Sequence, residues 1–327
     1  MRLRRYFILA GLLVPVNAVG HHGVATLGAA GIEGPGAPVE TSSSRTLPAG
    51  ESLAYLKLDQ VEYETYTDAR DGEMESASFW LYGLGHGFTP SLSAYLFVPR
   101  HEKVVEDNGY NTSGFADVSL MAVYGFKYDD GLQSVPEQES LADLEDWHFT
   151  AYAGATLPTG DPNTRDADGD IDPGMSLGFG EPSYTAGLTA TRMLSPRWTW
   201  VGETSYVYFR EHRYADGQRV QFGDEWRVNN ALSARLVTRP DSGVRIDANL
   251  EAQYLALGRD RADGRGEAAT GGDMAYLMPG IRATSGRVSA GLGVKTPVWT
   301  DLNEEDRQQG GEGKEDYRLI LTVSALF

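Results

Sequence analysis

The sequence predicts an all-β fold: a transmembrane antiparallel β-barrel of about 12 strands, closed by a C-terminal strand that ends on Phe. Three observations predict it. Residues 317–327 alternate between apolar and mixed positions, and the chain stops at Phe327. The first residues have the pattern of an export signal, and stretches of about 12–18 residues with a period of two recur between the ends. For the last strand alone, an amphipathic edge strand of a soluble protein is the alternative.

The N-terminus predicts a secretory signal peptide over residues 1–20. Arginines stand at positions 2, 4 and 5, and residues 7–16 form an apolar run that is too short to span a bilayer as a helix. Small residues follow, so cleavage after Ala18 or after Gly20 is expected. No later run approaches the ~18 apolar residues of a transmembrane helix. An exported chain with a barrel-like end indicates the outer membrane of a Gram-negative cell.

The composition of the chain excludes some kinds of site and argues against one class of partner. The chain has no cysteine, which excludes disulfides and thiolate metal sites. Its net charge of −18 argues against a nucleic-acid partner, because phosphates need a basic surface, and it suits a surface protein that attracts cations. A mildly polar chain rich in Gly and Tyr is natural for a barrel with a polar lumen.

The predicted strands follow from the alternation of side chains. In residues 246–256, apolar Ile246 and Leu250 alternate with charged Asp247 and Glu251. The charged set must face water, which in a barrel fills the lumen. A soluble β-sandwich would alternate as well. The strands are predicted near residues 52–67, 74–87, 91–105, 112–128, 146–157, 182–195, 197–212, 221–238, 243–258, 272–284, 286–299 and 315–327.

The lengths of the connections favour the barrel. Short turns are predicted at residues 88–90, 195–197, 239–242 and 284–286. Longer polar connections alternate with them, as the outer loops of such barrels alternate with short periplasmic turns. The connection of residues 129–145 does not follow this alternation, because it is long and acidic where a short turn is expected. Either a short helix forms near residues 140–145, or the strand count is wrong there.

Six short segments carry a family resemblance. They are Gly114–Leu120, Ala153–Asp161, Leu177–Gly180, Thr270–Gly272, Pro279–Gly280 and Thr296–Val298. In these segments the chain resembles the outer-membrane transporter-like β-barrel family named after the meta-pathway of phenol degradation, over roughly residues 50–327. The resemblance implies a monomeric barrel that passes small solutes, with aromatic compounds as one class.

Charged residues within the predicted strands are assigned to the lumen. A charge facing lipid near the midplane costs ~2–4 kcal/mol, so the lumen is the favourable side. In the lumen, positively and negatively charged side chains could create the transverse field of a pore, or they could pair as structural ions that fill a narrow barrel. The residues are Arg192, Glu203, Arg227, Arg235, Arg245, Asp247, Glu251 and Arg282.

Residues 21–50 are rich in Gly, Ala, Pro and Ser and lack a strand period, which predicts a flexible leader or a plug folded into the lumen. Their first residues are His21 and His22. Cleavage after Ala18 would make His21 the third residue, an arrangement that binds Cu(II) or Ni(II) in a square plane of nitrogens. Cleavage after Gly20 would let the terminal amine and imidazole chelate copper, with His22 as a further ligand. A chance pair of histidines is the alternative.

A weaker metal candidate lies in the connection of residues 158–181. Four carboxylates alternate around a glycine like the start of a calcium loop, although Leu177 stands where the bidentate glutamate is expected. The alternative is a hydrated acidic outer loop, which could still hold divalent cations that bridge lipopolysaccharide. The four residues are Asp166, Asp168, Asp170 and Asp172.

No catalytic motif is present: the chain has no serine elbow, no HExxH and no phosphate-binding loop, so no enzyme and no required cofactor are predicted. The predicted function of the barrel, residues 51–327, is a channel or transporter for small solutes. One alternative is copper or nickel handling through the N-terminal histidines, and another is an adhesive barrel whose loops bind divalent cations. The expected partners are outer-membrane lipid, lipopolysaccharide, a small solute and, through the C-terminal strand, the barrel-assembly machinery. A monomer without nucleic acid is expected.

Overall fold

The computed structural model has a closed antiparallel β-barrel as its wall. The described residues are 34–64, 74–105, 111–137, 145–166, 168–305, 308–309 and 314–327. Within these ranges twelve long strands form the wall. They are β1 (Ser52–Glu64), β2 (Met74–Thr89), β3 (Leu92–Val105), β4 (Val118–Tyr128), β5 (Trp147–Leu157), β6 (Ser183–Ser195), β7 (Trp198–Tyr208), β8 (Glu225–Arg239), β9 (Val244–Leu257), β10 (Gly272–Ser285), β11 (Val288–Leu302) and β12 (Lys314–Leu326). The predicted all-β barrel is confirmed.

The first and last strands close the barrel. Each wall strand pairs antiparallel with the next along the chain, and β1 pairs with β12 from Leu53 opposite Leu326 onwards. At the junction the N–H of Ser52 donates to the Phe327 carbonyl over 2.8 Å, and the Phe327 N–H returns a bond of 2.8 Å. Closure pairs the edges of the described wall strands, as crossing a bilayer requires. In the described ranges no helix has the length and apolar character needed to cross a membrane.

Side chains alternate between the two faces of the wall. In β9, Asp247 and Glu251 are fully buried inside, whereas Leu250 is 53% exposed on the outer face. In β12, Thr322 is buried inside and Leu321 lies outside. The apolar set therefore faces lipid and the polar set surrounds the lumen.

Short turns mark one end of the barrel. Residues 90–91, 196–197, 240–243 and 286–287 join wall strands there. The β8–β9 turn contains a 3₁₀ turn, Pro240–Ser242, and ends at Gly243, whose φ of 62° favours glycine. Short turns are periplasmic in outer-membrane barrels, so we assign this end to the periplasm.

The long β4–β5 connection lies at the same end. Leu132–Ser134 folds back onto β4, and the N–H of Val135 donates to Ser91 Oγ in the β2–β3 turn over 3.0 Å. The strand count is therefore right at this point. Most of the segment in which a helix was the alternative, residues 140–145, falls outside the described residues.

The loops at the outer end pack against one another. Short strands at this end are Asn111–Phe115, which pairs with β3; His212–Arg213, Arg219–Gln221, Arg261–Ala262 and Arg265–Gly266, which form one small sheet; and Glu304–Glu305 with Gln308–Gln309. The rings of Phe179, Phe209 and Phe222 contact one another at centroid distances of 4.9, 5.2 and 6.2 Å. Met175 reaches inward and is fully buried among side chains of β1, β2 and β3.

Candidate functional site in the barrel lumen

Residues 34–50, which we call the inner segment, run through the lumen. Near the periplasmic end, the N–H of Gly36 donates to Asp247 over 3.2 Å. The segment reaches furthest into the barrel at Glu40. It returns to the periplasmic end at Thr46, whose hydroxyl donates to the Pro90 carbonyl in the β2–β3 turn. The inner segment is therefore a loop that enters and leaves the lumen at the same end.

Two lysines near the middle of the wall hold Glu40. Its carboxylate accepts hydrogen bonds from Lys57 Nζ at 2.9 Å, from Lys295 Nζ at 3.1 Å and from Gln253 Nε2 at 3.0 Å. The side chains of Glu40 and both lysines are only 6–7% exposed. Burial opposes ionisation of Glu40, but Lys295 and Lys57 outweigh it and hold the pKa of Glu40 well below its usual range. The tip of the inner segment is thus ionically bound to β1 and β11.

Glu251 satisfies the backbone on both sides of this tip. Its carboxylate accepts the N–H of Val39 at 2.6 Å, the N–H of Glu40 at 3.2 Å and the N–H of Thr41 at 2.7 Å. The Thr41 hydroxyl donates to it at 2.6 Å. The inner segment lacks regular secondary structure, so wall side chains must pair the polar backbone groups that burial removes from water.

Further wall residues bind both limbs of the inner segment. Arg282, which is fully buried, donates from Nη2 to the Pro38 carbonyl at 2.6 Å. On the returning limb, the N–H of Ser42 donates to Glu203 at 3.1 Å. The N–H of Leu47 then donates to a serine of β3 at 2.9 Å.

Glycines in the wall leave room for the inner segment. A Cβ on the inward side of Gly87 would lie 2.2 Å from the carbonyl oxygen of Pro48. A Cβ at Gly125 would lie 2.8 Å from the Thr46 side chain. Real Cβ atoms essentially never approach other heavy atoms within 3.0 Å, so glycine at these two positions fits this path of the chain.

Seven of the eight charged residues predicted for the lumen face the barrel interior. Glu203, Asp247, Glu251 and Arg282 bind the inner segment; Arg227 pairs with Glu225; Arg235 and Arg245 line a cavity beside the inner segment. Their part in solute passage stays a prediction.

The lumen prediction for Arg192 is wrong. Its neighbours Thr191 and Met193 line the interior cavity, so Arg192 lies on the outer face of β6, where its guanidinium carbon is 5.1 Å from the ring centre of Trp147. Arg192 is close to the periplasmic end of its strand, at Ser195. Near the interface a cation facing lipid costs only ~0–1 kcal/mol, so the midplane argument does not apply.

The sequence reasoning missed an ion-pair belt formed by Lys57, Asp59, Glu315 and Arg318. Arg318 Nε donates to Glu315 at 2.7 Å, and its Nη1 lies 3.3 Å from Asp59. Asp59 lies 3.7 Å from Lys57, which binds Glu40. The belt therefore connects the closing strand pair to the inner segment. The period of two in β1 could have identified Lys57 and Asp59, because both fall on its buried face.

Segments that carry the family resemblance meet at the outer rim. Asp117, just before β4, accepts the N–H of Gly160 and the N–H of Phe179, each at 2.8 Å. The N–H of Leu177 donates to the Asp161 carbonyl at 2.9 Å. Burial raises the pKa of Asp117, although these N–H donors oppose the shift. The motif residues therefore fold the long outer loop across the rim.

Two of the four predicted calcium ligands, Asp166 and Asp172, bind the backbone of their own loop. Asp166 Oδ1 accepts the N–H of Asp168 at 3.0 Å and the N–H of Asp170 at 2.9 Å. Asp172 Oδ1 accepts a backbone N–H three residues later at 3.1 Å. In the part of the chain that the structure describes, no three His, Asp or Glu side chains are grouped as a metal site. Calcium binding stays a prediction that would need the loop to rearrange.

The signal peptide, residues 1–20, and the pair His21 and His22 lie outside the described residues. Copper or nickel binding by the two histidines therefore stays a prediction. The division of the chain into a signal peptide, a segment of residues 21–50 and a barrel from residue 51 also stays a prediction.

Comparisons with known proteins give one family and several barrels. The family model described as "Putative MetA-pathway of phenol degradation" matches residues 36–310. An outer-membrane channel from Pseudomonas putida F1 has a TM-score of 0.67 at 14% identity, over 89% of this chain and 100% of that chain. The β-domain of the Bordetella autotransporter Brka has a TM-score of 0.45 at 10% identity, over 86% of this chain and 100% of its own. The NanC porin has a TM-score of 0.43 at 7% identity, over 85% and 99%.

No curated protein matches the chain. The similarity to the Pseudomonas channel shows the fold, which is that of an outer-membrane β-barrel, and the predicted location in the outer membrane is confirmed.

Proposed function

This chain belongs to the phenol-degradation family matched above, and on that premise we propose that it is a channel for small solutes across the outer membrane. The family description favours aromatic compounds as one solute class. In this proposal the inner segment closes the lumen, and solutes pass when it is displaced towards the periplasm.

The observation that carries the proposal is the ionic attachment of Glu40 to Lys57 and Lys295. Hydrogen bonds and ion pairs of this kind can be exchanged for water when the lumen floods, so each contact contributes modestly to closure. A closed and an open state that differ by a few kcal/mol can interconvert. An inner segment held mainly by a large apolar core would favour a permanent filler instead. Leu47 does belong to a large core, but in residues 34–46 the described core contacts are those of Val39 with Met278 and Ile320.

The residues that would line the open pathway also support a channel. After the inner segment leaves, Lys57, Lys295, Glu203 and Glu251 would face water. Both signs of charge would then stand around the lumen, which sets up a transverse field for polar solutes.

Planar-bilayer conductance tests the proposal. The purified full chain is compared with a variant that lacks residues 34–46 and keeps residues 47–50, which bind β2 and β3 beside their turn. We expect brief, rare conductance steps from the full chain and long-lived steps from the variant. A variant that lacks residues 21–33 is the control for shortening and should behave like the full chain.

Heat-modifiable migration on gels verifies that each barrel is folded before it is measured. If the folded variant without residues 34–46 conducts no ions and lets no small solute into liposomes, the channel proposal is wrong.

A further inference from the structure

A cavity of about 340 Å³ lies at the periplasmic end, between the inner segment and the wall strands β5 to β9. The inner segment contributes Pro35 and Arg45, and the wall contributes Met193, Arg235 and Arg245. Its volume falls within the ~300–1,000 Å³ typical of small-molecule sites. A second cavity of about 200 Å³ shares Arg45 with it.

The arginines in this cavity are unequally paired. Arg245 holds Asp247 with Nε at 2.8 and 2.9 Å from the two carboxylate oxygens, so its charge is balanced. Neither Arg45 nor Arg235 has an acidic partner within 4.0 Å among the described residues. Arg235 Nε is in addition a buried donor without an acceptor there. The charge of Asp247 also acts on Arg235, but this one carboxylate is shared with Arg245, so among the described residues the three arginines of the cavity keep an excess of positive charge in a chain of net charge −18.

Burying an N–H donor without an acceptor is costly, and a charged donor costs more than a neutral one. An anionic ligand between Arg45 and Arg235 would relieve that cost and balance both charges. Arg guanidinium groups fit planar carboxylates through paired N–H donors. The remaining lining includes Pro35, Ala37 and Met193, which suit an apolar body attached to the carboxylate.

We propose that this cavity binds a small organic carboxylate, with the carboxylate between Arg45 and Arg235 and the apolar part against Pro35, Ala37 and Met193. The proposal rests on the proposed channel function, because it assigns a solute class to the periplasmic end of the same lumen. Since Arg45 belongs to the inner segment and Arg235 to the wall, the bound carboxylate stabilises the closed arrangement by linkage.

Isothermal titration of the full chain in detergent tests the site, with benzoate as the probe and low ionic strength to limit screening. Benzyl alcohol has the same ring without the charge, and inorganic phosphate has charge without the ring. We expect benzoate to bind more tightly than either. The Arg45→Gln and Arg235→Gln variants should each lose about 10- to 100-fold in benzoate affinity, the range for a charge-assisted hydrogen bond.

Arg239→Gln is the matched control, because Arg239 is an exposed arginine of β8 that does not line the cavity. It should bind benzoate as the unchanged chain does, and all variants should keep their heat-modifiable migration. The proposal is overturned if benzoate affinity survives both cavity substitutions. It is also overturned if phosphate binds as tightly as benzoate, which would indicate an inorganic-anion site only, or if benzoate does not bind at all.

The conductance of the variant without residues 34–46 separates this proposal from the channel proposal. If that variant conducts and the full chain does not bind benzoate, only the proposal of a carboxylate site is refuted. If benzoate binding depends on both arginines but the barrel never conducts, the carboxylate site is supported and the channel proposal is refuted.

Discussion

Replacing Glu40 by Gln should release the inner segment from the lumen. Removing one member of a buried ion pair typically costs ~3–5 kcal/mol, because the remaining charge stays buried without its partner. Lys57 would keep Asp59 at 3.7 Å, and Lys295 would keep a contact with the Tyr276 ring at 4.6 Å. These residual contacts place the expected cost at the lower limit, ~3 kcal/mol, which is a shift of roughly 100-fold towards the displaced state.

Single-channel recording measures this shift as the fraction of time that the barrel is open. Glu51→Gln is the matched control, since Glu51 pairs with Arg287 at the exposed periplasmic rim and such pairs contribute only ~0–1 kcal/mol. We expect Glu40→Gln to raise the open fraction up to about 100-fold, limited by saturation, and Glu51→Gln to change it less than about fivefold. Equal open fractions in the two variants would refute the conclusion that Glu40 holds the inner segment.

Three further predictions follow from the described contacts and from the N-terminal histidines. Asp117→Ala should cost ~2–4 kcal/mol of local stability, because two 2.8 Å hydrogen bonds from the outer loop are lost, and proteolysis within residues 158–182 should accelerate. Asp161→Ala is the control, because the Asp161 carboxylate bonds only locally, and equal cleavage of the two variants would contradict the role of Asp117. Since the pKa of Glu40 is depressed in the docked state, its contribution to docking should be complete above its ordinary pKa of 4.5 and lost as the pH falls through the lower pKa of the docked state. The difference in open fraction between the full chain and Glu40→Gln isolates this contribution, and a difference that already shrinks between neutral pH and pH 5 would contradict it. The His21→Ala/His22→Ala double variant should lose copper binding while its barrel stays folded, and unchanged copper binding would exclude the pair as the ligand.

The strand pattern was predictable because each wall strand has lipid on one face and the lumen on the other. With a period of two, Asp247 and Glu251 could be placed inside from the sequence of β9 alone. The same rule places Arg192 outside, since Thr191 and Met193 face inward. Its wrong assignment came from giving the midplane cost of a charge to a residue near the membrane interface.

The path of the inner segment could not be predicted in the same way. It has no period, and its backbone bonds to wall residues that are distant in sequence, as from Val39 to Glu251. Nothing local marks Glu40 as the partner of Lys57 and Lys295, because strand closure alone brings β1 and β11 close enough to hold one carboxylate. The glycines of β2 can be read from the sequence, but only the folded barrel shows that Pro48 needs the space at Gly87.

A reversible tether between the inner segment and the wall tests the central claim most directly. The chain has no cysteine, and a Cβ at Gly36 would lie 3.4 Å from Thr199 Cβ, close to the ~3.5–4.5 Å between the Cβ atoms of a disulfide. Gly36 has a φ of 80°, at which a cysteine is strained, so the single Gly36→Cys variant measures the effect of that strain by itself. The Gly36→Cys/Thr199→Cys pair is placed in the Glu40→Gln background, with each single cysteine variant as a control, and conductance is recorded before and after reduction. The account predicts a silent barrel when oxidised and long-lived conductance steps when reduced. Equal conductance in both states would show that the inner segment does not close the channel.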